Sequence, residues 1–174
     1  MTHILFKVPT YYPYVLMTAA SISFLCLLIG FGAGSKRGKI FDKEKIKEKF
    51  GDAHQEAFGS DPPAGGYPDH GNGLYGDLLS YKDWFEFQLD QRTHKNFLEQ
   101  VTIIVFLVCN CGLVWPIVAI CLGIVHFVGR IIYTIGYKKS VQGRMIGAMF
   151  TMLSLFALLI CAMITTIMMV VAIP

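Results

Sequence analysis

Charge is scarce in this sequence, and acidic charge is confined to one part of it. Only 16% of the 174 residues are charged, whereas about 25% is usual for a soluble domain. All twelve Asp and Glu residues lie between Asp42 and Glu99. Three stretches carry no charge at all: Val8–Ser35, Gln100–Gly129 and Met145–Pro174. So little charge cannot cover a water-soluble surface, which excludes a soluble enzyme, a disordered tail and a secreted disulfide scaffold.

Recognisable metal and phosphate motifs are also missing. The sequence contains no Gly-rich phosphate loop, no nucleophile elbow and no HExxH motif. His54 and His70 have no second ligand at a spacing suited to a metal, and the five cysteines lie in apolar segments, as is typical of buried packing residues. The sequence therefore predicts no metal site. The net charge of +3 does not indicate nucleic acid, because the basic residues border apolar segments.

What the sequence has in abundance is apolar residues, at 54% of the chain and a mean hydropathy of +0.52. A helix needs about 20 apolar residues to cross a bilayer. The pattern predicts four such spans, with a break between Gly112 and Pro116 because glycine permits a turn and proline suits a first helical turn. The spans lie at about 13–34, 90–112, 116–138 and 146–172. The predicted fold is all-α, an integral membrane four-helix bundle that forms one domain over residues 1–174.

Basic residues are distributed unevenly between the two sides of such a bundle. Four spans place both termini on one side and the polar segments 35–89 and 138–145 on the other. These segments and their flanks carry thirteen Lys and Arg residues, and the opposite side has only Lys7. Positive charge favours the cytosolic side. We therefore expect both segments to face the cytosol or its equivalent, a mitochondrial matrix.

The long segment between the first two spans reads as polar and loop-rich. Ile40–Phe50 is dense in charge and predicts a short surface helix. Gly59–Tyr75 is rich in glycine and proline, which indicates turns. Ser80, with Asp83 three residues on, is typical of a helix start, so the second span should begin as a helix near Tyr81, outside the membrane.

A few polar residues lie where lipid should disfavour them. Arg92, Asn96 and Glu99 share one face of the second helix, since their spacing is i, i+4, i+7. The third helix carries a similar polar face, made of Arg130, Tyr133 and Tyr137, with His126 one turn deeper. The two faces are expected to meet near the cytosolic boundary of the membrane, with Arg37 and Arg144 nearby.

Two interpretations of this layer are open. In the structural one, Glu99 neutralises Arg92 or Arg130, the tyrosines cap the pair, and the whole holds the helices in register. In the functional one, the arginines outnumber Glu99 and the surplus positive charge binds an anionic ligand, whose carboxylates guanidinium groups grip in a bidentate fashion.

Two motifs carry a resemblance to a known family. Arg92-x-His94-x-Asn96-x-x-Glu99 and Gly129-Arg130-x-x-Tyr133-x-x-Gly136-Tyr137, followed by Arg144, resemble the membrane-associated proteins in eicosanoid and glutathione metabolism (MAPEG). Microsomal glutathione S-transferases and leukotriene synthase are members of that family. The resemblance covers about residues 13–174. It implies four-helix subunits that form a homotrimer and bind glutathione between neighbouring subunits on the cytosolic side.

The resemblance also implies roles for individual residues. Glutathione would be the co-substrate, with no metal, and the reaction would conjugate or reduce lipophilic electrophiles that arrive from the lipid of an endoplasmic reticulum or mitochondrial membrane. Arg144 and Tyr137 would be catalytic, with Arg144 stabilising the thiolate. The residues implied in binding glutathione are Arg37, Arg92, His94, Asn96, Glu99, Arg130, Tyr133 and Tyr137.

Two other functions fit the same scaffold. A non-catalytic accessory subunit would dock into a larger membrane complex, in mitochondria for example, through residues 42–83. The length of that segment favours this alternative, as does the sequence Gln100-Val101-Thr102-Ile103, which lacks the aromatic residue and the proline common in the family after the glutamate. A scaffold that presents a lipid to a partner enzyme is the other alternative.

Overall fold

The computed structural model describes residues 8–171, and within this range the secondary structure is helical, without a β-strand. Lys7, on which the expected orientation partly rests, lies outside the described residues. The helices are α1 (Tyr12–Ile40), α2 (Lys43–Phe58), α3 (Tyr81–Gly112), α4 (Pro116–Lys139) and α5 (Met145–Val171), with short 3-10 turns at Ala64–Gly66, Gly76–Leu78 and Gln142–Arg144. The chain is an all-helical protein.

Three of the described helices are long and apolar enough to cross a membrane. They are α1, α4 and α5 together with the 3-10 turn that precedes it. Helix α3 is not among them, because its first half is charged and only the half after Glu99 is apolar. The expected fourth span therefore stays a prediction, although α3 ends at Gly112 and α4 begins at Pro116, the residues where a break was expected.

The described chain divides into two compact units. The membrane unit comprises residues 8–27 and 96–171, and the polar unit comprises Leu28–Lys95. Helices α1 and α3 each supply residues to both units.

In the membrane unit, small residues let helices α4 and α5 approach closely. A Cβ atom on Gly147 would collide with the backbone nitrogen of Tyr133, and one on Gly136 would collide with the carbonyl oxygen of Gly143 in the 3-10 turn before α5. Lipid offers no hydrophobic drive between helices, so close backbone approach at small residues is a common way to hold them together. Large apolar side chains point outward instead: Leu153 and Phe156 are among many that are exposed.

The polar unit has a conventional apolar core. Phe41, Ile46 and Phe87 are buried, and the rings of Phe41 and Phe87 meet edge to face at 5.7 Å between centroids. Half-buried apolar residues from α2 and from the turn at Gly76–Leu78 pack around them. The segment that reads as loop-rich in the sequence is thus a folded part of the protein.

Two boundaries in this unit differ from those the sequence predicts, and a third, the start of α3, is as expected. Helix α1 continues to Ile40 rather than ending at residue 34, and its last turns place the buried Arg37 in the polar unit. Helix α2 runs to Phe58, where Gly59 ends it in a left-handed conformation that glycine adopts without strain. Helix α3 begins at Tyr81 after Ser80, whose hydroxyl accepts a bond from the Asp83 backbone N–H at 3.1 Å.

Candidate functional site

Arg130 is the centre of a buried polar network in the membrane unit. It lies on α4 and is only 2% exposed. Its Nη2 donates to the backbone oxygen of Asn96 at 2.8 Å and to Oε1 of Gln100 at 2.6 Å, both on α3. The ring of Phe97 lies 4.4 Å from its Cζ, which places the guanidinium against an aromatic face. All of these contacts are neutral, so Arg130 keeps its positive charge.

Two tyrosines extend the network from Arg130 toward the end of α4. The Asn96 side chain donates to the Tyr133 hydroxyl at 2.6 Å, and the rings of Tyr133 and Tyr137 are 5.6 Å apart. Arg144 donates through Nη1 to the Tyr137 hydroxyl at 3.3 Å and lies 4.9 Å from that ring. We call Asn96, Gln100, Arg130, Tyr133, Tyr137 and Arg144 the arginine–tyrosine network. Five of these six residues were expected in the site.

The ion pairs expected by the structural interpretation are not found among the described residues. Glu99 is exposed on α3 and makes neither a hydrogen bond nor an ion pair with Arg130 in the described chain. Arg92, on the same helix, is exposed as well. Among residues 8–171 the network therefore has two arginines and no carboxylate bonded to either, although the charge of Glu99 acts on Arg130 without direct contact.

Gln100 is the member that sequence reasoning missed. It was noted only as a departure from the aromatic residue common after the glutamate, yet its amide oxygen takes the shorter of the two bonds from Arg130. The available signal was its spacing, because Gln100 follows Asn96 by four residues and so shares its helix face. A neutral acceptor holds Arg130 in place without cancelling its charge.

Arg37, expected to bind a carboxylate, is occupied inside the polar unit. Its guanidinium donates to the backbone oxygens of Gly65 at 3.2 Å, Gly66 at 3.1 Å and Asp69. It is 6% exposed and lies 4.1 Å from the ring of Tyr67. These bonds fasten the glycine-rich turn to α1, and binding of a ligand by Arg37 stays a prediction.

His94, the other expected residue in the polar unit, is packed against α1. A Cβ on Gly30 would lie 2.7 Å from its Nε2, so the imidazole occupies the space that the glycine leaves open. Nearby, the Nζ atom of Lys36 and the Oδ2 atom of Asp90 form an ion pair at 2.5 Å. Here the structure provides a packing role for His94.

Asp69 organises the turn that Arg37 holds. Its Oδ1 accepts the backbone N–H groups of residues 71, 72 and 73, and its Oδ2 accepts those of residues 75 and 76. Burial acts to raise the pKa of this carboxyl, but the backbone bonds outweigh it and hold the pKa below its ordinary value. Because its oxygens are filled by backbone donors, Asp69 is a structural anchor. No group of three or more His, Cys, Asp or Glu side chains that could hold a metal occurs between residues 8 and 171.

The network joins the two motifs that carried the resemblance: Asn96 comes from the first, and Arg130, Tyr133 and Tyr137 come from the second. A family model described as the MAPEG family matches residues 12–164, nearly the whole chain. The chain belongs to the MAPEG family. Membership makes this a membrane protein of the glutathione and eicosanoid metabolism family, one that includes glutathione transferases and peroxidases. A search of curated proteins finds no match.

The donors of the network suit the chemistry of glutathione. Glutathione carries two carboxylates and a thiol, and the network offers the half-buried guanidinium of Arg144, the Tyr137 hydroxyl bonded to it and the Tyr133 hydroxyl bonded to Asn96. Guanidinium groups bind carboxylates through paired hydrogen bonds, and their positive charge, which persists throughout the physiological pH range, stabilises thiolates. The residues of this MAPEG protein therefore fit an anionic thiol ligand.

Proposed function

We propose that this MAPEG protein is a glutathione-dependent transferase or peroxidase that acts on lipophilic electrophiles in the membrane. The observation that carries the proposal is the arginine–tyrosine network, in which Arg130 and Arg144 are held by neutral partners and keep their charge. A purely structural network would be expected to pair such charges, because unpaired charge in a lipid-embedded bundle is costly.

In the proposed site, Arg144 and Tyr137 act on the sulfur and the remaining residues bind the peptide. A free thiol has a pKa of about 8.5, and a neighbouring cation lowers it, which raises the reactive thiolate fraction at neutral pH. Arg130, Asn96 and Tyr133 supply the fixed part of the binding surface. Arg37, Arg92, His94 and Glu99 are proposed as further glutathione ligands.

Two reactions follow from one thiolate. In conjugation, the sulfur attacks an electrophilic carbon, a C–S bond forms, and the leaving group departs or the adduct takes up a proton. In peroxide reduction, two glutathione molecules convert a hydroperoxide to an alcohol and water, and a disulfide bond forms between the two sulfurs. Both need a lipophilic substrate to reach the thiolate from the bilayer, in an endoplasmic reticulum or mitochondrial membrane, with the site on the cytosolic or matrix side.

The proposal includes a four-helix subunit and a homotrimer. Arg92 and Glu99 are exposed although both belong to the first motif, and a neighbouring copy of this chain would give them partners. Cross-linking and light scattering of the detergent-solubilised protein test this, with a trimer mass expected. A monomer that still binds glutathione would contradict the trimeric site.

Thiolate absorbance of the purified protein with millimolar glutathione tests the enzymatic proposal. The wild-type protein should show the thiolate band, and Arg144→Ala should lose it while keeping its helicity. Lys139→Ala removes an exposed cation from the last turn of α4 and is the matched control, expected to keep the band. Absence of the band in the wild-type protein, with no binding of glutathione by calorimetry, would overturn the proposal.

A second candidate function has an observation of its own. Residues 42–83 belong to a folded unit with a buried core rather than to an extended loop, which favours a role as a docking module. In this function the protein is an accessory subunit of a larger membrane complex. Native electrophoresis after mild extraction discriminates the two, because comigration with a large complex supports the accessory role and migration as a small homotrimer counts against it.

A further inference from the structure

A cavity outside the arginine–tyrosine network lies within the polar unit, at the start of α3. It has a volume of about 490 Å³ and is bounded on one side by the glycine-rich turn and on the other by the first residues of the helix. Its walls include the rings of Tyr81 and Trp84, the carboxylate of Asp77 and the backbone of three glycines. None of these residues belongs to the arginine–tyrosine network.

The aromatic wall and the neighbouring Phe85 are exposed on the surface. Tyr81 is 76% exposed and Phe85 38% exposed, and the Tyr81 ring lies 5.8 Å from that of Trp84 and 5.9 Å from that of Phe85. Large aromatic side chains gathered on a surface mark contact sites, because they supply much contact area at little cost in conformational entropy.

The opposite wall is rigid in spite of its glycines. Asp69 binds five backbone N–H groups of the turn, and the Gln88 side chain ties the turn to α3 by donating to the Gly71 oxygen at 3.0 Å. A flexible glycine-rich turn would lose binding energy when it ordered around a ligand. Because this one is fixed beforehand, its cavity is preorganised.

The charge around the cavity is negative. Residues 69–90 carry five carboxylates and one lysine. Asp69 is held by the backbone and Asp90 is paired with Lys36, so Asp77, Asp83 and Glu86 set the local charge against Lys82 alone. Aromatic rings beside a carboxylate are the usual recognition surface for an organic cation.

We propose that this cavity, lined by Tyr81, Trp84 and Asp77, is a docking site for a lysine or arginine side chain of a partner protein. The proposal deepens the docking role of residues 42–83 and rests on that second candidate function. A protein partner is favoured over a lipid headgroup by position: Tyr81–Lys95 spans about 21 Å along α3 at 1.5 Å per residue. That stretch carries six charged residues, so the cavity lies well before the helix becomes apolar.

Fluorescence of Trp84 tests the site in the full-length protein. Trp115 is the other tryptophan, and a Trp115→Phe background makes Trp84 the sole reporter. The probe is an amidated Arg-Gly-Arg peptide, which should change the emission with a saturable curve. Asp77→Asn should weaken binding of the peptide by about fivefold, which is the contribution expected of one cation contact to a carboxylate beside aromatic rings.

Two controls make the outcome decisive. Asp61→Asn removes another exposed carboxylate of the same unit and should leave the peptide affinity unchanged. Phosphatidylcholine vesicles offer the quaternary ammonium group of a zwitterionic lipid as competitor and should not displace the peptide. Equal affinity in Asp77→Asn, no saturable response, or displacement by the vesicles would each overturn the proposal. The thiolate band with glutathione should be the same in Asp77→Asn as in the parent, so failure here is separable from failure of the enzymatic function.

Discussion

The membrane unit and the polar unit place polar and apolar residues in opposite ways. In the membrane unit the interior contains Arg130, His126 and Ser154, with a bond of 3.2 Å between the last two, while leucines, methionines and phenylalanines face outward. In the polar unit Phe41 and Phe87 are inside and most charged residues are outside. The two units of one chain therefore have opposite burial patterns. Each pattern suits its surroundings, which are lipid for the membrane unit and water for the polar unit.

The two units also differ in what fixes their geometry. Close backbone contact at Gly147 sets the spacing of α4 and α5, and that at Gly136 sets the spacing of α4 and the turn before α5, so the membrane unit depends on the absence of side chains. The polar unit depends on two charged anchors, Arg37 and Asp69, whose bonds go to the backbone. Arginine therefore has a different role in each unit. Arg37 is a structural clamp that holds backbone oxygens of the polar unit, whereas Arg130 in the membrane unit has neutral partners and keeps its positive charge.

Removing the arginine clamp should have the largest effect and should be confined to the polar unit. Arg37→Ala leaves three backbone oxygens without their donor, and we expect a loss of about 4 kcal/mol in the stability of that unit. Hydrogen exchange of the amides at residues 71–76 measures it. Lys39→Ala, an exposed neighbour, should change little. Equal loss of protection in α4 and α5 would show that the units do not behave separately.

Adding one methyl group at Gly147 should destabilise the membrane unit. In Gly147→Ala the new Cβ meets the Tyr133 backbone, and overpacking of this kind costs about 3 kcal/mol. Thermal unfolding in detergent measures the change, and the glutathione thiolate band should weaken because Tyr133 and Tyr137 shift. Gly34→Ala, where the structure has open space, is the matched control and should be neutral or slightly stabilising. A Gly147→Ala protein as stable as the parent would refute close packing as the basis of this unit.

Acid should lower the stability of the polar unit and leave that of the membrane unit unchanged. The folded pKa of Asp69 lies below its unfolded value of about 3.9, so its contribution is fully present above the unfolded value and is lost as the pH falls through the folded one. Asp69→Asn should cost about 2 kcal/mol at neutral pH and remove this acid dependence.

Hydrogen exchange at neutral and acidic pH, read separately for the turn at residues 71–76 and for α5, provides the measurement. The membrane unit has Glu99 as its only acidic side chain and should be insensitive over this range. The contrary result would be a turn whose protection falls with acid equally in Asp69→Asn and in the wild-type protein.

The smallest change in stability should come from Gln100→Glu, which replaces the neutral acceptor of Arg130 with a carboxylate. Stability should change by less than about 1 kcal/mol, since the bond is kept, but glutathione binding should weaken about tenfold because the charge of Arg130 is neutralised. Calorimetry with glutathione measures this. Gln55→Glu adds the same charge in α2 and should have no effect. Unchanged affinity in Gln100→Glu would mean that the charge of Arg130 is not used for binding.

Helix boundaries and helix faces, which depend on local residue spacing, could be predicted from the sequence. The break at Gly112 and Pro116, the start of α3 after Ser80 and the shared helix face of Arg130, Tyr133 and Tyr137 follow from short-range rules. The fold of the polar unit could not be predicted, because its core joins Phe41 to Phe87 across a glycine-rich segment whose composition indicates turns. The partner of Arg130 was missed for a related reason: charge favoured Glu99, whereas helix geometry presents Gln100.

The direction of two hydrogen bonds has a consequence for ligand choice. The hydroxyl oxygen of Tyr133 accepts from Asn96, and that of Tyr137 accepts from Arg144. A hydroxyl that accepts still has its own proton to give. Each tyrosine can therefore donate a hydrogen bond to a ligand in the proposed site while its oxygen is held by the amide or the guanidinium. An inhibitor that carries a carboxylate, sulfonate or thiolate should therefore bind in the proposed site more tightly than one built on an amine, because it can accept these protons and the Arg144 guanidinium repels a second cation.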